Sequence, residues 1–265
     1  MNIFKYEIKH YFLPTLITLI LACLLGSAFL SFYPIFLKDI EGFIALIANY
    51  PPEMLAFLQF NPSDLATIFG LYGLVIHFQL IVSGTFACWL GCDLVAKEDY
   101  SRTWDFLLTK PLARRTIFGA KVFVLFLYLL IYNAILAALL FYVAGYYNPQ
   151  PCDLLVFTKI HLGFTLIILV FASFGVLLGV CLRRIKSVLG VAISFVGANF
   201  VLSYLGEIID QPWIAYFLLF TYFPVMDIAT NKDLEIAYPI IVLSIIILTL
   251  LSAALIYCRR DIKAN

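Results

Sequence analysis

Apolar residues run through the chain in long blocks, at roughly 12–37, 66–92, 117–145, 159–182, 187–206 and 237–258, with shorter polar stretches between them. Each block reaches the about 20 predominantly apolar residues that a helix needs to cross a bilayer. Backbone N–H and C=O groups in lipid find no water, so a spanning segment must satisfy them internally. The blocks also lack the strict alternation of a membrane barrel. The pattern predicts an all-α integral membrane protein with six transmembrane helices, built as one transmembrane unit over residues 1–265. Lys5 and Lys9 before the first block resemble a signal peptide, and Ile20-Leu21-Ala22-Cys23 resembles a lipoprotein cleavage site. The apolar run nevertheless continues through Leu24, Leu25, Phe29, Leu30 and Phe32, which is too long for a cleaved signal and long enough to span.

Two further apolar runs are too short to cross. Residues 42–60 are broken by Pro51-Pro52, and Trp213 to Phe223 is bracketed by Pro212 and Pro224. Apolar runs of about 10–14 residues read as re-entrant or interfacial, and for 42–60 both readings stay open. The second run, about 212–224, is rich in aromatic residues, which suits an outer lid or anchoring at the headgroups.

Composition agrees with the pattern: 64% of residues are hydrophobic and 12% charged, against about half and about a quarter in ordinary globular domains. A net charge of +1 points to neither nucleic acid nor an acidic substrate. The arrangement of the charges is more informative. With both termini in the cytoplasm, the excess of positive residues falls inside, as the positive-inside rule requires. Lys5, Lys9, Lys97, Arg102, Lys110, Arg114, Arg115, Lys121, Arg183, Arg184, Lys186, Arg259, Arg260 and Lys263 lie there, against Lys38, Lys159 and Lys232 outside.

The charged stretch Lys97–Lys121 then becomes a cytoplasmic loop between spans two and three. Tyr100, Trp104, Leu107 and Leu108 recur at helical spacing, with Glu98, Arg102, Asp105 and Thr109 opposite, so a short amphipathic helix is expected over about 98–110. Asp99 is its expected N-cap, Glu98 and Arg102 have the spacing of an ion pair, and Pro111 ends it. A helix this short needs support. Lipid headgroups, the protein's own helix ends and a soluble partner all qualify.

Inside the spans, ionisable residues usually mark ion or proton paths. His77, with Gln79 nearby, is the main candidate, and a hydrogen bond to a neighbour is its plainer expectation. His161 and Asp93 are expected at the membrane interfaces. Cys23, Cys88, Cys92, Cys152, Cys181 and Cys258 form neither a disulfide framework nor a zinc pattern. No hydrolytic set of residues is evident, and no metal site is expected. Small residues are better pointers, because membrane helices approach closely at them. Gly175 and Gly179 form a GxxxG on span four, Gly190, Ser194 and Ala198 line one face of span five, and Gly84, Cys88 and Gly91 line span two. Packing within the chain and packing between subunits both fit.

The loop resembles that of ABC-2 type permeases, the membrane subunits of ATP-binding-cassette exporters. The likeness rests on Glu98, Arg102-Thr103, Asp105-Phe106-Leu107-Leu108-Thr109-Lys110-Pro111-Leu112 and Arg114, placed between the second and third of six spans. It extends to the start Asn2-Ile3-Phe4-Lys5-Tyr6-Glu7 and to Asn49-Tyr50-Pro51-Pro52. The resemblance implies that the loop is a coupling helix touching a cytoplasmic ABC ATPase through Glu98, Arg102, Thr103, Trp104, Asp105, Leu107, Leu108, Pro111 and Arg114. It implies a core of two permease copies or paralogues, in the plasma (inner) membrane of a prokaryote, with Gly175, Gly179, Gly190 and Ser194 at helix or subunit contacts. The segment before the last span resembles the family's re-entrant hairpin, with Trp213, Tyr216 and Phe223 as outer gate. No phosphate loop G-x-x-x-x-G-K-[ST] occurs, so ATP and Mg are expected on the partner and the chain is expected not to be an enzyme. An amphipathic cargo, whether peptide, drug or lipid-like, suits the apolar path. An ATP-independent channel or secondary transporter, and a membrane anchor or sensor subunit, are the rival readings.

Overall fold

In the computed structural model, residues 3–47, 49, 67–101, 113–148, 152–182, 185–209, 218–232 and 237–259 are described. Among them every regular element is helical: α1 (Ile3–Ser31), α2 (Tyr33–Lys38), α3 (Ile40–Ile47), α4 (Ile68–Ser101), α5 (Arg114–Tyr147), α6 (Leu154–Cys181), α7 (Val188–Ile209), α8 (Val225–Asn231) and α9 (Ala237–Arg259), with a 3-10 turn at Leu219–Thr221. Five helical stretches are long and apolar enough to cross a membrane: Phe4–Lys38, Ile68–Glu98, Arg114–Tyr147, Leu154–Cys181 and Ala237–Arg259. The remaining expected span is α7, whose apolar part is the shorter Val188–Ser203.

The boundaries have local causes. Asp153 caps α6 by accepting a hydrogen bond from the Leu155 amide at 3.0 Å, which satisfies one otherwise orphaned donor. Extended backbone at Ala113 and Asn148 delimits α5. Hydroxyls on the spans turn back onto their own helices, as Thr15 does to the Tyr11 carbonyl at 2.7 Å and Ser244 to the Ile240 carbonyl at 2.8 Å. In an apolar surrounding this disposes of polar groups that would otherwise be costly.

The centre of the bundle is the pair α4 and α6, and glycines explain their closeness. A Cβ on Gly91 would strike the Ala172 carbonyl oxygen, one on Gly175 the Cys88 carbonyl oxygen, and one on Gly179 would come within 2.6 Å of the Cys92 carbonyl oxygen. Backbone therefore lies on backbone along the seam, where any side chain would hold the helices apart. The register pairs rising numbers with rising numbers, so α4 and α6 run parallel. α1 and α5 pack beside each other and against α4, while α7 covers another face of α4. α9 lies along α6, where the Thr249 hydroxyl meets Ser173 Oγ at 2.8 Å. Leu13, Leu21, Leu24 and Phe12 on α1, and Leu248, Leu251 and Leu255 on α9, point outward.

Contacts sort the helix ends into two groups. Glu7 near the start of α1 meets Lys121 near the start of α5, Lys97 lies near the end of α4, and Tyr257 near the end of α9 touches Phe118 with ring centroids 5.3 Å apart. We call this the loop end, since it carries the chain into residues 102–112. At the far end Lys159 donates to the Lys232 carbonyl at 2.5 Å, and the tilted rings of Tyr222 and Tyr238 have centroids 5.4 Å apart. Of the basic residues assigned above to the inside, the described ones, Lys5, Lys9, Lys97, Arg114, Arg115, Lys121, Lys186 and Arg259, lie at the loop end.

One expected boundary is corrected. α4 continues without a break through Ser101, so Asp99 lies inside that helix instead of capping a new one, and Glu98 belongs to the spanning helix. The rest of the expected loop helix, from Arg102 onward, lies outside the described residues.

Candidate functional site

The loop end holds the densest charge in the bundle. Glu7 and Tyr11 are one turn apart on α1, Asp93 and Lys97 one turn apart on α4, and Lys121 faces them from the first turns of α5. Helical spacing puts each i, i+4 pair on one face. The Lys97 ammonium donates to Glu7 Oε2 and sits over the rings of Tyr6 and Tyr11, 5.1 and 4.9 Å from their centroids. The Lys121 ammonium donates to Glu98 Oε1 and to the Leu94 carbonyl, and lies 3.4 Å from Glu7 Oε1. The Tyr11 hydroxyl donates to Asp93 Oδ2 at 2.7 Å, and Tyr128 on α5 donates to the Ile8 carbonyl on α1. Side-chain exposure is 1% for Lys121 and 2% for Glu7, so these ions are shielded from solvent and depend on one another. Removing one partner of such a pair strands a buried charge, at a cost of about 3–5 kcal/mol. Glu98 Oε2 has no hydrogen-bond partner among the described residues.

The sequence pattern puts Lys97 and Lys121 on the cytoplasmic side and Asp93 near the inner end of span two, but gives no sign that they meet. Asp93 is in fact buried against Tyr11. The available signal was Glu7, the one acid in the helix Ile3–Ser31, set one turn from its start among Lys5 and Lys9. Of the residues expected to couple to an ATPase, Glu98 sits in the cluster and Arg114 opens α5, partly buried. Arg102, Thr103, Trp104, Asp105, Leu107, Leu108 and Pro111 lie outside the described residues.

The two histidines lie in different surroundings. His161, near the outer end of span four as the sequence places it, is buried in a polar knot joining α4, α5 and α6. Tyr72 Oη meets its Nε2, Asn133 Oδ1 lies 3.1 Å from its Nδ1, Asn133 Nδ2 donates to Thr165 Oγ1, and Thr165 donates to the His161 carbonyl at 2.7 Å. The amide and hydroxyl fix the tautomer: Nδ1 carries the proton and Nε2 accepts from Tyr72. His77, expected to hydrogen-bond a neighbour, has no partner for Nε2 among the described residues. Its ring instead packs among Phe78, Phe200 and Phe220 at centroid distances of 6.2, 5.5 and 5.8 Å.

The small residues divide in the same concrete way. Gly175 and Gly179 press on α4, whereas a Cβ at Gly190 would touch only Ser187. Gly190 and Ser194 line a groove of about 690 Å³ between α6 and α7, with Lys186 at its edge and Leu178, Leu182 and Phe195 in its walls. At the far end the described part of the segment before α9 folds into the bundle. Leu219, Phe220 and Tyr222 are buried, Phe220 meets Phe171 and Phe200, and Phe223 presses its ring onto Gly163. Trp213 and Tyr216 lie outside the described residues.

Long apolar helices around a glycine seam, with ions gathered at one end, define a multi-pass membrane protein. A family model described as ABC-2 family transporter protein matches residues 1–258, and the chain belongs to that family. It is therefore a membrane permease component of an ABC transporter, a class that works with an ABC ATPase. The comparison with curated proteins gave no match.

Proposed function

We propose that this chain is the six-span permease of an ATP-driven exporter, with both termini and the loop end in the cytoplasm of a prokaryotic cell. Two copies, or this chain and a paralogue, form the core, and a separate ABC ATPase supplies ATP and Mg. The observation that carries the reading is the build of α4 and α5. Each has 34 residues, about 51 Å at 1.5 Å per residue, against a hydrocarbon core of about 30 Å. Both therefore overshoot the membrane, and Lys121 ties them together at the loop end through Glu98 and the Leu94 carbonyl. The two long levers that flank residues 102–112 in the chain thus share one lock. Closure of an ATPase pair beneath the loop would shift both levers together, and packed helices respond by moving between discrete arrangements. The buried, aromatic far-end segment with Phe223 serves as the outer gate, and the apolar interior suits an amphipathic peptide, drug or lipid-like cargo.

The test is co-purification with a cytoplasmic ABC ATPase from the same cell, followed by transport in vesicles. We expect uptake into inverted vesicles that requires ATP, and we expect Asp105→Arg to insert normally but to lose ATPase binding and stimulated hydrolysis, because a reversed charge at a docking contact costs several kcal/mol. Transport driven by a proton gradient without ATP would instead establish a secondary transporter. Normal complex formation by Asp105→Arg would remove that residue from the docking surface.

A further inference from the structure

We propose that the first helix is part of the coupling device, and that Glu7 is the positioning residue that makes it so. This deepens the reading of an ATP-driven permease and rests on it. The two carboxylate oxygens of Glu7 are divided between two cations on two other helices: Oε2 receives Lys97 of α4, and Oε1 faces Lys121 of α5 at 3.4 Å. Lys121 in turn holds Glu98 and the Leu94 carbonyl. One carboxylate thereby bridges the two levers that bear the loop, from a helix that contributes nothing to the loop itself.

The charge balance makes the bridge necessary. Lys97 and Lys121 repel each other, and Glu7 makes a direct ion pair with each of them, while Glu98 pairs with Lys121 and acts on Lys97 at longer range. Without it Lys97 keeps the faces of Tyr6 and Tyr11, and Lys121 keeps Glu98. The α4–α5 lock therefore survives loss of Glu7, while the ionic tie of α1 to both helices does not. Two uncharged-donor ties, from the Tyr11 hydroxyl to Asp93 at 2.7 Å and from the Tyr128 hydroxyl to the Ile8 carbonyl, keep α1 in place. The expected defect is thus a loss of concerted movement, with the fold retained. α1 turns a broad apolar face outward through Phe12, Leu13, Leu16, Ile17 and Leu21, so its displacement would carry loop motion to the lipid-facing wall of the bundle.

The test uses the full complex. Glu7→Gln keeps the shape and removes the charge, and Glu7→Asp keeps the charge. Spin labels at Lys9 and Arg115, both exposed, report the separation of α1 from α5 with and without ATP and vanadate. We expect an unchanged separation in the otherwise unsubstituted protein, and an ATP-dependent change in Glu7→Gln. Transport per ATP hydrolysed should fall by about two- to thirtyfold, the range spanned by substitutions along a connecting network. Insertion and ATPase binding should be retained, and Glu7→Asp should recover most of the loss. If Glu7→Gln does not insert, Glu7→Gln with Lys97→Met removes both charges and leaves the Lys121–Glu98 pair, a neutral exchange that buried ion pairs tolerate. The same loss of coupling is expected. Label distances and transport ratios equal to those of the unsubstituted protein in these variants would overturn the proposal. Absence of ATP-dependent transport in the unsubstituted complex would instead overturn the underlying reading, and the label distances would still decide whether Glu7 ties α1 to α5.

Discussion

A Cβ placed on Gly175 would run into the Cys88 carbonyl, whereas one on Gly119 would meet nothing within 4 Å. The two glycines therefore predict opposite outcomes for one added methyl. Gly175→Ala should destabilise the bundle by about 1–3 kcal/mol through overpacking against backbone that cannot yield. Gly119→Ala should be neutral or stabilising by up to about 1 kcal/mol, because alanine loses less freedom in a helix. Thermal unfolding in nanodiscs checks both, and equal shifts would mean that α4 and α6 are not in backbone contact. The GxxxG spacing on span four was legible as a close-approach signal, but its partner was not. Histidine shows the same limit. What satisfies His161 comes from Tyr72, 89 positions away, and Asn133, 28 positions away. Nothing in the residues flanking His77 or His161 distinguishes the one that acquires partners from the one that acquires phenyl rings.

Among the elements, the spans were legible because hydrophobic blocks of spanning length have few alternatives in lipid. Their ends were less so. α4 runs on through Lys97, Glu98 and Asp99, a charged sequence that reads as the start of a loop, because α1 and α5 supply counter-charges that local sequence cannot reveal. α1 likewise begins at Ile3, well before its apolar block, with Glu7 facing inward. The segment before α9 was legible as a short element because prolines interrupt it, and Pro224 does mark the entry to α8. Its inward packing depends on Gly163, which lies 2.9 Å from Phe223 Cβ once a Cβ is imagined on it. That closeness offers a clasp. In a background without native cysteines, Gly163→Cys with Phe223→Cys should oxidise readily after a small adjustment, since disulfides need Cβ atoms about 3.5–4.5 Å apart. If the segment is the gate, the oxidised form should lose transport but keep basal ATP hydrolysis, and reduction should restore transport. Full transport by the oxidised form would assign the gate elsewhere.

For the whole molecule, the arrangement of helix ends turns the charge asymmetry into a labelling pattern. Cys152 precedes α6 at the far end, while Cys181 ends α6 and Cys258 lies near the end of α9 at the loop end. An impermeant thiol reagent applied to intact cells should modify Cys152 and spare Cys181 and Cys258, and the reverse pattern would invert the protein in the membrane. The same architecture sets a schedule for biosynthesis. Glu7 is made first, but Lys97 follows 90 residues later and Lys121 later still, a delay of roughly 5–20 s at ordinary translation rates. During that interval a lone carboxylate cannot settle among apolar neighbours without its cations. Until the third span is made, Glu7 therefore lacks the two cations it meets in the finished bundle. The cluster can close only when three helices from the first half of the chain are present together, so its assembly is bound to the order of synthesis.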